Sequence, residues 1–171
     1  MIGSRGEAGD DFVVCPGCGL RLPCGEEVAA SLQGSSSAEC LRLCHELSLY
    51  TLAHGDPFFI HQVVVDAYAA QHAGPESKPI GVAFALIGLC LLLERGHTGK
   101  AVQRAHMRLA RGSKQWPAFD PPSHRGSVTI ADVLRADPGA DRDAAITQWA
   151  ASVWKAWAHA HPAVRDLIDT R

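Results

Sequence analysis

The sequence predicts a mostly α protein: a single-domain helical bundle around one apolar central helix, with a zinc-knuckle segment at its amino end. Three observations carry that expectation. IGVAFALIGLCLLL, residues 80 to 93, is apolar nearly all round, as a helix buried among other helices must be. Segments with helix-cap signals flank it on both sides. VVCPGCGL, residues 13 to 20, sets two cysteines on a tight Pro/Gly turn, the arrangement in which a knuckle offers two thiolates to one zinc ion.

The bulk properties agree. The chain has 171 residues, 47% of them apolar and 20% charged, enough for one sizeable core. A net charge of −2 gives no global pull toward nucleic acid or an anionic membrane. As a helix, the 80 to 93 run would span about 21 Å, short of a bilayer core of about 30 Å. MIGSRGEAGDD has no apolar stretch of the kind a signal peptide needs. The expected home is cytoplasmic, where thiols stay reduced and clustered cysteines hold metal more often than they form disulfides.

The elements follow in order. Residues 1 to 11 read as a loose tail, and residues 12 to 171 as one helical domain that includes the zinc knuckle, 13 to 44. Between Phe12 and Ser36 only a short turn of helix near 26 to 32 fits. SAECLRLCHELSLYTLAHG is a helix capped by Ser36 or Ser37, stopped by Gly55 and Pro57. A second helix covers roughly 58 to 73 and ends before Gly74 and Pro75. The third runs from Pro79 to Arg95, and GHTG breaks it. A fourth covers about 100 to 112. WPAFDPPSHRG is a Pro-rich loop, and a short helix begins near Thr129 or Ala131. DRDAAITQWAASVWKAWAHAH is a long helix, followed by a short one that Pro162 opens and that ends near Asp169.

Zinc takes four tetrahedral ligands, so Cys15 and Cys18 need two more. Cys40, at a helix start where the dipole favours thiolate, is the expected third. Cys44, one turn later, is the expected fourth. Cys24, His45, His61 and His72 are the alternatives. A redox CxxC would open a helix after a strand, and GLRLPCG is poor helix. Cys90 reads as a small core residue.

HQVVVDAYAAQH, residues 61 to 72, carries unusual polar chemistry for a buried segment. On a helical wheel His61, Tyr68 and His72 share a stripe, while Asp66 lies about 140° from His61. Eleven residues place His61 and His72 about 16 Å apart along the axis, too far to share one ion. His72 is either a zinc ligand, or with Tyr68 an acid–base group of a pocket, or a core residue satisfied by its neighbours. A buried Asp66 must find a helix start, a cation or a site. His161, at the end of the Trp149–Trp157 stripe, is a candidate partner for it. The candidate catalytic groups are therefore Asp66, Tyr68, His72 and His161, in a pocket between the 58–73 helix and the C-terminal helix.

ERGHTGKA fails as a phosphate loop, because GxxxxGK[ST] would need Gly at Glu94 and Ser or Thr at Ala101. Residues 95 to 114 hold six cations and no acid. Lys100, Arg104, Arg108 and Arg111 fall on one helical side, which is either a solvated face or a grip on phosphate.

The set CPGCG, SAEC, VDAYAAQHAG, SVTIADVL and WAASVWKAW resembles an uncharacterised bacterial family, a domain of unknown function, over about residues 13 to 165. The family's motifs match here at Cys15, Cys18, Cys40, Asp66, Tyr68, Gln71, His72, Trp154 and Trp157. The chain departs from it in QHAG for QHPG, and in GVAF, residues 81 to 84, where the family carries a histidine. The resemblance implies no activity. The expected function is a zinc-binding helical protein with a structural ion. The alternatives are a zinc-dependent hydrolase or transferase acting on a small molecule, and a regulatory or nucleic-acid-binding module that uses the basic stripe.

Overall fold

The structure is a computed structural model of the chain, and it describes residues 12–24, 35–112 and 115–171. The expected tail, the helical turn near 26 to 32 and Lys114 lie outside the described residues. The rest is a mostly helical bundle of seven α-helices and one two-stranded sheet.

The sheet was not expected. β1 (Phe12–Val14) pairs antiparallel with β2 (Arg21–Pro23), with Val13 opposite Leu22. Strands of three residues leave too short a pattern to read, yet they suffice to clamp the CPGCG turn between them. The Cys15 N–H donates to the Leu20 carbonyl at 2.8 Å, and the Gly19 N–H to the Cys15 carbonyl at 2.8 Å. Gly19 closes the turn at φ 75°, a conformation that suits a residue without Cβ.

α1 (Ala38–Ala53) starts as the sequence predicts: the Ser37 side chain accepts from the Cys40 N–H. Past its C-cap, Gly55 takes φ 59°. α2 (His61–Gln71) starts later than expected. The Asp56 carboxylate accepts from the N–H groups of Phe58 (2.8 Å) and Ile60 (2.7 Å), holding an open turn in which Phe59 adopts φ 60°. α3 (Pro79–Leu93) carries Pro in its first turn, and α4 (Gly99–Leu109) is capped by Thr98. α5 (Ile130–Arg135) opens on a capping box of Thr129 and Asp132.

The expected long final helix breaks. α6 (Ala140–Ala156) ends at Trp157, a 3-10 turn spans Ala158–Ala160, and α7 (His161–Asp169) follows. The Trp157 N–H is shared between the Val153 and Trp154 carbonyls, which tightens the last turn. Pro162 then lacks the donor that would continue the ladder.

α3 is buried on nearly every side, packed by α2, α4, α6 and α7. α2 shares the centre with it, meeting α1, α3, α4 and α6. Each large apolar side chain fully removed from water there contributes roughly 1.5–3 kcal/mol. Polar ties fix the register of α6 on α2. The Trp149 indole donates to Gln71 Oε1 (2.9 Å), and the Trp157 indole donates to the Ala70 carbonyl (3.1 Å). Gln71 in turn donates to the carbonyls of Arg125 (3.0 Å) and Val128 (2.9 Å). The Arg125 guanidinium donates to the Ala73 carbonyl at 2.7 Å. The carboxyl end of α2 is thereby held rigid, and the next residue is His72. Among the described residues, no helix is long and apolar enough to cross a membrane.

Candidate metal centre

Four donors meet where the hairpin, the start of α1 and the end of α2 converge. The Sγ atoms of Cys15, Cys18 and Cys40 and a ring nitrogen of His72 all lie within 4.8 Å of one another. Cys18 Sγ is 3.8 Å from Cys40 Sγ, and Cys40 Sγ is 3.3 Å from His72 Nε2. Cys15, Cys40 and His72 are buried, and Cys18 is half-buried. A group of this composition could hold a metal ion.

Each donor is placed by its own element. Cys15 and Cys18 are the two thiols of the clamped turn. Cys40 sits in the first turn of α1, its N–H on the Ser37 hydroxyl at 3.1 Å. His72 is the residue at which α2 ceases to be helical, with φ −103° and ψ 16°. Its Nδ1–H donates to the Tyr68 carbonyl at 2.9 Å. In the neutral ring that fixes the tautomer and leaves the Nε2 lone pair facing the sulfurs. The Tyr68 ring stacks on His72 at 4.0 Å between centroids, and its hydroxyl donates to Ser36 Oγ at 2.8 Å.

The segment 35–37 closes the cage. The Ser35 N–H donates to the His72 carbonyl at 3.0 Å, and the Ser37 N–H to Cys15 Sγ at 3.4 Å. Two glycines make room. A Cβ on Gly17 would collide with the His72 ring and lie 2.7 Å from the Ser35 carbonyl, and one on Gly74 would collide with the Ser35 hydroxyl. These contacts give a steric reason for Gly17 of CPGCG and Gly74 of QHAG.

The crowded thiols share protons unequally. Hydrogen bonds with Cys18 and Cys40 hold the Cys15 thiol far below its ordinary range, while hydrogen bonds with Cys15 and Cys18 push Cys40 far above it. Burial opposes a charged His72, but its hydrogen bonds to Cys15 and Cys18 outweigh that and lift it to about 9. A metal ion held among three sulfurs and an imidazole would deprotonate the thiols outright.

The structure differs from the expected ligand set in its fourth member. Cys44 lies outside the group. It is half-buried, and burial raises its thiol to about 11. One helical turn past Cys40 on α1, it lines the cleft between α1 and α2. Cys24 and His45 are exposed and also stand apart from the group. His61 bonds Thr51 Oγ1 at 2.9 Å, about three helical turns from His72.

The four expected acid–base groups do not converge. Tyr68 and His72 stand together at the cage. Asp66 faces the other way, with its carboxylate against Gly88 of α3, where a Cβ would collide with it, and near Val102 of α4. Its partner is the Gln62 amide, at 3.0 Å. Burial holds the Asp66 carboxyl well above its usual range, against the smaller pull of Gln62. His161 belongs to a separate cluster: its ring stacks on Trp154 at 3.8 Å, and its Nε2–H donates to the Trp154 carbonyl at 2.9 Å. Beside it, the Trp154 indole and the Arg165 guanidinium both donate to Glu94, and Arg165 draws the Glu94 carboxyl down to about 2.

A cleft of about 690 Å³ opens between α1, α2 and the start of α3, on the opposite side of α2 from α6. Tyr68 and His72 form its wall toward the cage, Cys44, His45 and His61 line its sides, and Val65 lies on its floor. The expected pocket between α2 and the C-terminal helix is filled instead by Trp149, Trp157 and Gln71, all buried.

A protein-family model described as a family of unknown function (DUF5946) matches residues 13–158 of the chain. No curated protein and no solved structure matches it.

Proposed function

The chain belongs to the DUF5946 family of unknown function, and from that premise we propose that it is a zinc protein. Cys15, Cys18, Cys40 and His72 bind one structural ion that pins the amino-terminal hairpin to the helical body. The observation that carries this reading is the spacing of the donors. Zn–S bonds of about 2.3 Å and Zn–N bonds of about 2.0–2.1 Å at tetrahedral angles set S···S edges near 3.8 Å and S···N edges near 3.6 Å. Here the Cys18–Cys40 edge is 3.8 Å and the Cys40–His72 edge 3.3 Å, and every other edge lies within 4.8 Å. The imidazole backed by a carbonyl is the customary support of a ligating histidine. Zinc has no redox chemistry of its own, and four protein donors leave no position for a reacting water. The ion's task on this reading is folding.

Metal analysis of the purified protein tests the proposal. Wild type and Cys44→Ala should each carry about one zinc per chain, and Cys40→Ser and His72→Ala should carry far less. Full occupancy in His72→Ala, or loss in Cys44→Ala, overturns the ligand set.

The cleft supports a second reading, as a site for a small apolar molecule. Its volume falls within the about 300–1,000 Å³ of typical ligand sites. His61 supplies a polar contact: Thr51 Oγ1 lies 3.1 Å from the carbonyls of Leu47 and Ser48 and donates there. The His61 Nδ1–H therefore donates to Thr51, which leaves Nε2 as an acceptor. Val65→Trp, which would fill the cleft from its half-exposed floor, should abolish any ligand that raises the melting temperature of wild type. Ligands that stabilise both proteins equally would count against the cleft.

A further inference from the structure

We propose that the outer face of α4 is a docking surface for the phosphate backbone of nucleic acid. The chain as a whole is slightly acidic, at −2, yet no Asp or Glu occurs from Arg95 to Phe119. The structure shows which cations of that stretch are free. Arg95 is taken by Asp169 at 2.6 Å, and Arg171 lies over the Trp116 ring at 4.4 Å. Lys100, Arg104 and Arg108 have no ion pair among the described residues, nor has Arg111, and all four are exposed. Lys100, Arg104 and Arg108 fall within an arc of about 80° and extend about 12 Å along the axis. The opposite side of α4 is anchored through Gly99, Val102 and Ala105, so the cations stand on a rigid support.

Like charges four residues apart destabilise an isolated helix. A merely solvated face would gain from acids interspersed among them. Here the surroundings are cationic as well. A cleft of about 470 Å³ is lined by His97, Arg104, Arg108 and Arg111, and a second, of about 610 Å³, by His97, Arg108 and Arg171. Among the described residues, no Asp or Glu lines either. A row of this length suits an extended polyanion better than a single phosphate group. Duplex DNA presents one charge per about 1.7 Å of axis. Among the described residues no Phe, Tyr or Trp lines the cleft beside Arg104, so the contact expected is with backbone and is independent of base sequence.

Fluorescence anisotropy of a labelled 20-base-pair DNA duplex, titrated with the full-length protein at several salt concentrations, tests the proposal. Four phosphate contacts predict a slope of log K against log salt of about −3.6. Arg104→Glu/Arg108→Glu should halve that slope or more, and weaken binding about 50-fold or more at 0.1 M salt. Arg42→Glu on α1, away from this face, should leave both unchanged. Melting temperature and metal content report whether each variant is folded; both substituted arginines are exposed. No binding at low salt, equal binding by the double variant, or binding to anionic vesicles but not to DNA would overturn the proposal.

Discussion

Replacing Gly17 with alanine tests the cage more sharply than removing a ligand does, because it keeps all four donors. The φ of Gly17 is not in the left-handed region, so alanine is allowed there conformationally and its effect is steric alone. The added methyl would collide with the His72 ring and sit 2.7 Å from the Ser35 carbonyl. Neither obstacle can step aside freely: the ring is held through Nδ1 at 2.9 Å, and Ser35 is tied to the His72 carbonyl at 3.0 Å. Overpacking of this kind costs about 1–3 kcal/mol. If the strain falls on the metal-bound state, that is about 5- to 150-fold in zinc affinity. Gly19→Ala is the paired control. Gly19 has φ 75° and no atom within 4 Å of a built Cβ. Its alanine variant should lose about 1–2 kcal/mol through backbone strain while the donors still meet. Competition for zinc against a chromophoric chelator, with thermal melts with and without chelator, separates the two. Chelation should narrow the stability gap between Gly17→Ala and wild type, since an unligated ring can turn away. A Gly17→Ala protein that binds zinc within twofold of wild type would refute the reasoning.

Gln71→Leu should destabilise the fold by about 3–5 kcal/mol, because it orphans the Trp149 indole and two loop carbonyls at about 1–3 kcal/mol each when buried; chemical denaturation measures it, and a loss under 1 kcal/mol would contradict the assigned network. Gly88→Ala should cost about 1–3 kcal/mol through collision with Asp66 and Val102, and a neutral result would show that α3 can shift away. Asp66 gives a pH prediction. Burial holds its folded carboxyl well above the ordinary aspartate range, so the folded state binds the proton more tightly than the unfolded chain. Its stabilising contribution is full below about pH 4 and declines as pH rises toward the folded value. Asp66→Asn removes that dependence, so the difference in stability between variant and wild type should move in favour of Asn from pH 5 to 8; a constant difference would mean that Asp66 is ionised in the fold.

The helical body was legible because its punctuation is local. Ser37, Thr98 and Thr129 cap helices, Gly55 ends a helical segment, and each acts through neighbours within a few residues. The hairpin was not legible, since its strands have three residues each and their pairing depends on the turn between them. The clustered side chains that could hold a metal were legible as far as short-range chemistry reaches: a CPxCG turn and a cysteine at a helix start. The fourth was harder. Cys44 is close to Cys40 in sequence, but its direction from α1 carries it toward the cleft. His72 reaches the sulfurs from the residue at which α2 ends, before Gly74 and Pro75, and ties that no local pattern shows, from Trp157 to the Ala70 carbonyl and from Arg125 to the Ala73 carbonyl, hold that end in place. The same distance in sequence hid the role of Gln71. His161 looked like a partner for Asp66 on a continuous final helix; the break after Trp157 instead folds it back onto Trp154.

X-ray absorption at the zinc edge of the purified protein tests the central claim most directly, since it counts the atoms around the ion. The account predicts about three sulfurs near 2.3 Å and one nitrogen near 2.0–2.1 Å. Four sulfurs would put Cys44 or Cys24 in place of His72, and a shell dominated by oxygen, or no bound zinc at all, would contradict the cage itself.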